Sequence, residues 1–171
     1  MKWMGAILVF TACTGFGLAF ADYQKKRLRA IRILKKAVIT LRGQILYANA
    51  PIGEALKETG ERMPDPVQSF FLAVADKLEE GEGSSLREIW IEELGKIQEE
   101  WALEKQDLSE FEQFGSELGY LDLSMQEKTL NLYLERLEWA EKTFQSSLDG
   151  KVRLCTSLGI LSGIFLVIVL I

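Results

Sequence analysis

The sequence contains no histidine, only two cysteines and only three prolines. Without histidine, a Ser-His-Asp or Cys-His catalytic arrangement and a His-ligated zinc site are excluded. The glycine–lysine signature of a phosphate-binding P-loop is also absent. Cys13 and Cys155 both lie in strongly apolar segments, which is not the pattern of a small disulfide-stabilised secreted domain. We therefore predict a protein that is not an enzyme, with no catalytic residue, no metal and no cofactor.

Charge is absent from a long stretch near each end of the chain. Trp3–Ala21 has 19 residues and Leu154–Ile171 has 18, all uncharged. As helices they reach roughly 27–28 Å, close to the ~30 Å hydrocarbon core of a bilayer. We predict transmembrane helix 1 at 1–21, a cytosolic helical domain at 22–153 and transmembrane helix 2 at 154–171.

Each stretch has an alternative interpretation. The sequence Ala19-Phe20-Ala21 resembles the cleavage site of a secretory signal peptide. Against this, the apolar run is long for a signal, and the basic residues that follow it resist translocation. The final stretch is a spanning helix or, alternatively, a helix buried in a protein core.

Basic residues cluster on the inner flank of both apolar stretches. This membrane collar consists of Lys25, Lys26, Arg27, Arg29, Arg32, Lys35, Lys36, Lys151 and Arg153. The positive-inside rule then places the domain between the stretches in the cytosol. Binding of the collar to anionic lipid contributes about 1 kcal/mol for each basic residue near the surface.

Small residues lie within both predicted spans. Gly159 and Gly163 form a G-x-x-x-G motif in the second, and Gly15 and Gly17 lie in the first. Small residues allow helix backbones to approach closely. They favour packing of the two spans on each other or, equally, packing against another membrane protein.

The central domain has helical periodicity throughout, so the fold class is all-α: a bundle of about six cytosolic helices flanked by the two spans. The first helix carries an apolar stripe from Ile31 to Ala48. Asp65 is a predicted N-cap, with Pro66 as first helical residue. Further predicted features are capping boxes at Ser85–Glu88 and Ser124–Glu127, a helix that continues past Trp101, and helix stops at Gly81–Gly83 and at Gly119. We expect the first and last helices to lie side by side.

Charge is unevenly distributed along the central domain. Residues 22–43 hold eight basic and one acidic residue, net +7, whereas 44–153 hold 11 basic and 24 acidic residues, net −13. The acidic part would repel phosphates, so we expect no nucleic-acid partner and no small-molecule substrate. It is either a solvated surface or a docking face for a basic partner. The pairs Glu92-Glu93 and Glu99-Glu100 point about 100° apart on a helix and are not expected to converge.

Two segments carry a resemblance to a known family. The first is Phe114-Gly115-x-x-Leu118-Gly119-x-x-Asp122-x-x-x-Gln126, and the second is Ile45-x-Tyr47-x-x-x-Pro51-Ile52-x-Glu54-Ala55-Leu56. With the overall layout, they make the chain similar to the stage III sporulation protein AB (SpoIIIAB) family over its full length. The family often has glutamate where Gln44 stands and leucine where Ile52 stands. These departures weaken a role for charge at position 44 but leave the packing intact.

The resemblance implies a function that composition does not reveal. It implies a non-enzymatic platform or adaptor of the SpoIIIA–SpoIIQ transenvelope complex, related to the inner-membrane platform proteins of type II secretion and type IV pilus systems. The implied partners are a SpoIIIAA-like secretion ATPase and the other SpoIIIA membrane proteins, at the mother-cell membrane around the forespore. The alternatives are a simple membrane tether or a membrane-bound carboxylate enzyme. Within the first segment, Gly115 and Gly119 either admit a partner helix or form a helix stop and tight turn, and Asp122 either caps the last helix or contacts a partner.

Overall fold

The computed structural model describes the backbone of residues 2–81, 83–119 and 122–170, and the side chains of 22–81, 83–119 and 122–146. The described residues form six helices and no strand, which confirms the all-α fold class. In chain order they are α1 (Lys2–Leu46), α2 (Ile52–Glu61), α3 (Val67–Glu80), α4 (Leu86–Ile97), α5 (Lys105–Leu118) and α6 (Leu123–Leu170).

The chain divides into two compact units. One is Arg29–Glu141, and the other combines Met1–Leu28 with Lys142–Ile171. In the described part of the chain, no helix is both long enough and apolar enough to cross a membrane. The side chains of both predicted spans lie outside the described residues, and so do those of six candidate residues: Gly15, Gly17, Gly159, Gly163, Lys151 and Arg153.

The apolar stripe predicted on the first helix is buried as far as Ile45. Ile31, Leu34, Val38 and Leu41 are at most 1 % exposed, because residues three and four apart share one face of α1. The extension of the stripe to Ala48 is wrong, since Ala48 is exposed. The chain leaves the helix after Leu46, and the amides of Tyr47 and Ala48 both donate to the Gly43 carbonyl.

Helices α2 and α3 form a hairpin in which a glycine brings the two helices close together. A Cβ on Gly60 would lie 3.1 Å from side-chain atoms of Phe71 and Leu72. Helix α3 begins at Val67, so its N-cap is Pro66 and not Asp65. The helix ends as predicted at Gly81, whose φ of 67° is left-handed and favours glycine.

Helix α4 begins at the predicted capping box. The Ser85 hydroxyl accepts from the Glu88 amide, and the Glu88 carboxylate accepts from the Ser85 amide. The sequence suggested that this helix continues past Trp101, but it ends at Ile97. Trp101 nevertheless lies in the core from the connection to α5, with 6 % of its surface exposed.

The core of the Arg29–Glu141 unit contains a cluster of aromatic rings. The ring of Phe70 lies edge-on to the rings of Phe71 and Trp90, and Phe114 stacks on Tyr133 with 4.5 Å between centroids. Such pairs add about 0.5–1.5 kcal/mol each beyond the area they bury. The cluster comprises Phe70, Phe71, Trp90, Trp101, Phe111, Phe114 and Tyr133.

Candidate functional site

Polar contacts fix the pairing of α1 with α6. The Arg32 guanidinium lies 2.7 Å from the Glu141 carboxylate, and the Lys35 ammonium lies 3.2 Å from the same group. Ten residues after Arg32, Arg42 donates to the side-chain oxygen of Asn131 at 2.9 Å. A step of ten residues forward along α1 therefore corresponds to a step of ten residues back along α6, so the two helices are antiparallel. The expected side-by-side arrangement of the first and last helices is confirmed within Arg29–Glu141.

The electrostatics of this contact favour its charged form. Hydrogen bonds from Arg32 and then Lys35 outweigh partial burial and lower the pKa of Glu141. Burial alone would lower the pKa of Lys35, but Glu141 and Glu138 outweigh it and the pKa is raised. Both shifts keep the ion pair intact at neutral pH.

The described residues of the membrane collar fall into two groups. Arg32 and Lys35 pair with α6, and Arg27 is buried with its guanidinium carbon 3.9 Å from the centroid of the Phe144 ring. The other group is exposed to solvent: Lys25, Lys26, Arg29 and Lys36. Lys26 forms an exposed pair with Asp22 at 3.0 Å, which contributes little to stability. The second group is thus the part of the collar that can reach an external anion.

The described residues of the segment Phe114–Gln126 lie at the end of α5 and the start of α6. Gly115 faces the indole of Trp90, and a Cβ at this position would overlap three atoms of that ring. The Trp90 indole nitrogen donates at 3.1 Å to the carbonyl of Phe111, which lies one turn before Gly115 on α5. Gly115 therefore admits a close approach between α4 and α5 within this chain.

The rest of this segment consists of helix caps. Gly119 follows the last residue of α5, and a Cβ there would lie 3.0 Å from Leu86, so it ends the helix against α4. The predicted capping box at Ser124 is wrong, because α6 begins earlier and Asp122 caps it. The Asp122 carboxylate accepts from the Met125 amide at 2.9 Å, which lowers its pKa. The side-chain amide of Gln126 donates to the Leu118 carbonyl at 3.2 Å and links the end of α5 to the start of α6.

A second charged cluster joins α3 to α4. Lys77 lies 2.6 Å from Glu92 and 2.8 Å from Glu93, and Lys96 approaches the same two carboxylates at 3.0 and 2.7 Å. The expectation that Glu92 and Glu93 do not converge is therefore wrong, because their flexible side chains bend toward shared cations. Burial of Glu93 opposes its ionisation, but the two ammonium groups outweigh burial and its pKa is lowered. Hydrogen bonds to both acids raise the pKa of Lys77.

Sequence reasoning missed a groove between α5 and α6. It is a small depression with room for about one water molecule, and the 230 Å³ of empty space around it includes open solvent. Phe114, Leu132 and Tyr133 supply its apolar lining, and Glu110, Glu117 and Arg136 supply charge. Burial and then the negative charges of Glu110 and Asp107 raise the pKa of Tyr133 well above its usual value. The helical period of α6 places Leu132 outside the face that carries the buried leucines. An apolar residue off the buried face was the signal available from the sequence.

Within the described ranges, no three His, Cys, Asp or Glu side chains come together as a metal site. The buried charged side chains there are Arg27 and Glu93. Arg27 lies over the Phe144 ring and Glu93 pairs with two lysines, so neither is a candidate acid, base or nucleophile. Their arrangement stabilises helix packing.

Known proteins resemble this chain over nearly its whole length. The family described as stage III sporulation protein AB matches residues 2–171. The stage III sporulation protein AB of Bacillus subtilis (strain 168) is 30% identical over 170 residues, which cover 99% of each chain. A solved structure named stage III sporulation protein AB (SpoIIIAB) has a TM-score of 0.66 and 30% identity, covering 72% of this chain and 97% of that one. The chain therefore belongs to the stage III sporulation protein AB family, whose named members act in sporulation.

Proposed function

We propose that this protein is a non-enzymatic membrane platform in endospore formation, which couples a cytosolic secretion-type ATPase to membrane components. The observation that carries the proposal is the antiparallel contact between α1 and α6, fixed by Arg32, Lys35 and Glu141. Two helices joined in this way resist sliding along each other. A displacement applied to the Arg29–Glu141 unit would then reach both helices together.

The membrane part of the proposal rests on the sequence. The charge-free stretches at 3–21 and 154–171 match the bilayer in length, and basic residues flank both on the inner side. Lys25, Lys26 and Arg29 are exposed on α1, where they are available to anionic lipid. The proposed location is the mother-cell membrane around the forespore, with both termini anchored and the central domain cytosolic.

The partners are proposed from family membership. A SpoIIIAA-like secretion ATPase and the other SpoIIIA membrane proteins are the expected neighbours in the transenvelope complex. The acidic 44–153 region, with a net charge of −13, supports binding to a basic partner surface.

Charge reversal in the collar tests the topology. Lys25, Lys26 and Arg29 are changed together to glutamate, and a protease site is inserted in the connection between α3 and α4. In the parent we expect cleavage by protease added on the cytosolic side. In the variant we expect cleavage from the opposite side, or recovery of the protein in a different cell fraction. The matched control reverses three exposed basic residues of the central domain: Arg87, Lys105 and Lys128. The same cleavage pattern in all three proteins would contradict the proposed role of the collar.

A simple tether is the second candidate function. It differs from a platform in its dependence on the second predicted span, which contains Gly159 and Gly163. If 154–171 is replaced by an unrelated apolar helix, a tether retains sporulation efficiency, whereas a platform that packs through these glycines loses it. A carboxylate enzyme has less support, because the buried Glu93 is held by two lysines.

A further inference from the structure

Helix α6 exposes large apolar side chains in a regular pattern. Met125, Leu132 and Trp139 are 54, 47 and 70 % exposed, respectively. Their spacing of seven residues places them on one face of the helix, along a line of about 21 Å. The inward stripe of the same helix includes Leu130, Leu134 and Leu137, which are buried. The outer face is therefore a second line of large apolar side chains, which are exposed to solvent.

Leu132 joins this stripe to the groove between α5 and α6. It lines the groove together with Phe114 and Tyr133, whose rings stack and are buried. The apolar part of this small channel, together with the stripe beside it, is a surface on which the apolar face of an amphipathic helix can lie.

The charged residues beside the channel determine which helix fits. Glu110 and Glu117 line it, and each accepts a single hydrogen bond, from Gln106 and Gln113 respectively. Neither carboxylate forms an ion pair with any described residue, whereas Glu93 and Glu141 do. Arg136 is the one basic residue in the lining. Helix α5 as a whole has four acidic residues and one basic residue, so the field along this side of the channel is negative.

We propose that the α5–α6 channel and the Met125–Leu132–Trp139 stripe bind a cationic amphipathic helix of a partner protein. Its apolar face would cover Leu132 and Trp139, and lysine or arginine residues along its edge would pair with Glu110 and Glu117. The proposal builds on the proposed platform role, since it supplies the surface at which a basic partner attaches. A helix of about 14 residues spans the stripe.

Two other occupants fit the charges less well. A second copy bound through the same surface would bring Glu110 and Glu117 close to the same acids of its partner, which is unfavourable. An anionic lipid surface would be repelled by the same carboxylates. Both become outcomes of the test.

The test measures binding of a synthetic peptide to the full-length chain. The probe is a fluorescently labelled helical peptide of about 18 residues, with leucine on one face and lysine on the other. The protein is held in phosphatidylcholine nanodiscs, which carry no net charge, and empty nanodiscs provide the background. Fluorescence anisotropy gives the affinity at low and at physiological salt.

Two variants probe the two parts of the surface. Trp139→Ser with Leu132→Ser is expected to weaken binding at least about tenfold, because central apolar anchors dominate such interfaces. Glu110→Gln with Glu117→Gln is expected to weaken binding several-fold and to reduce its dependence on salt. The matched control, Glu112→Gln with Glu127→Gln, removes two exposed acids outside the channel and should leave the affinity unchanged. Circular dichroism confirms that each variant is folded.

Several results would overturn the proposal. These are equal weakening in the control variant, equal binding of a leucine–glutamate peptide, cross-linking of two copies through position 139, and loss of Trp139 exposure on phosphatidylglycerol nanodiscs. Failure of the platform itself is measured separately, by the protease pattern of the collar variant. A normal pattern there with no peptide binding rejects the docking surface alone.

Discussion

Replacing Gly115 by alanine should destabilise the Arg29–Glu141 unit although alanine is the better helix former. The new methyl carbon would lie well under 3.0 Å from three atoms of the Trp90 indole, whereas carbon atoms in contact lie about 3.5–4.0 Å apart. Trp90 is fully buried among aromatic rings and cannot withdraw into solvent. The helices must therefore separate or the indole must rotate.

The free-energy terms can be compared directly. Overpacking a close-packed core costs typically about 1–3 kcal/mol. A rotated indole also loses its hydrogen bond to the Phe111 carbonyl, about 1 kcal/mol. Alanine returns about 1 kcal/mol of helix propensity. The expected loss is about 2 kcal/mol, or roughly 8 °C in the melting temperature of a domain of this size.

Gly95 provides the matched control. It also lies inside a helix, α4, but a Cβ there would meet nothing within 4 Å. Gly95→Ala should therefore raise stability by up to about 1 kcal/mol. Thermal unfolding of the full-length chain followed by circular dichroism measures both. The cost of Gly115→Ala should fall when Trp90 is replaced by the smaller phenylalanine, because the two sites are in contact. A Gly115→Ala variant as stable as the parent, or equally destabilised in both backgrounds, would refute the steric argument.

Two further predictions concern polar contacts of α6. Glu141→Gln should cost about 1 kcal/mol at pH 7, because it removes the carboxylate between Arg32 and Lys35. Since the folded-state pKa of Glu141 is lowered, this contribution is complete above the unfolded pKa of about 4.3 and is lost as pH falls through the folded value. Melting curves of parent and variant should converge as the pH falls below the folded-state pKa of Glu141, and a constant difference would count against the ion pair. Asp122→Ala should lower stability by removing the bond to the Met125 amide, with Asp122→Asn retaining most of the stability in urea unfolding. Equal losses for both substitutions would show that capping is not its role.

Local sequence patterns predicted the fold where one residue decides the outcome. The Ser85–Glu88 capping box and the left-handed Gly81 are found in the structure because each requirement is satisfied within four residues. The buried stripe of α1 followed from helical period for the same reason. The error at Ser124 shows the limit of such reasoning. Two overlapping caps, Asp122 and Ser124, are compatible with the sequence, and the Gln126–Leu118 hydrogen bond between helices accompanies the earlier start.

Features that depend on contacts between helices were not predictable from one segment. The convergence of Glu92 and Glu93 on Lys77 requires α3 to lie beside α4. The overlap that a side chain at Gly115 would create requires Trp90 to arrive from another helix. Only the packing of the helices shows which residues are buried in the domain and which are exposed to partners.

The register of α1 on α6 restricts how the lengths of these helices can change. Adding one residue between Arg32 and Arg42 would turn one half of α1 by about 100° relative to the other, so Glu141 and Asn131 could not both keep their partners. A matching addition on α6 would restore the axial distance but would turn its Leu134 and Leu137 away from the core. Insertions and deletions should therefore be confined to the connections between the short helices, while the two long ones keep the ten-residue spacing between these contacts.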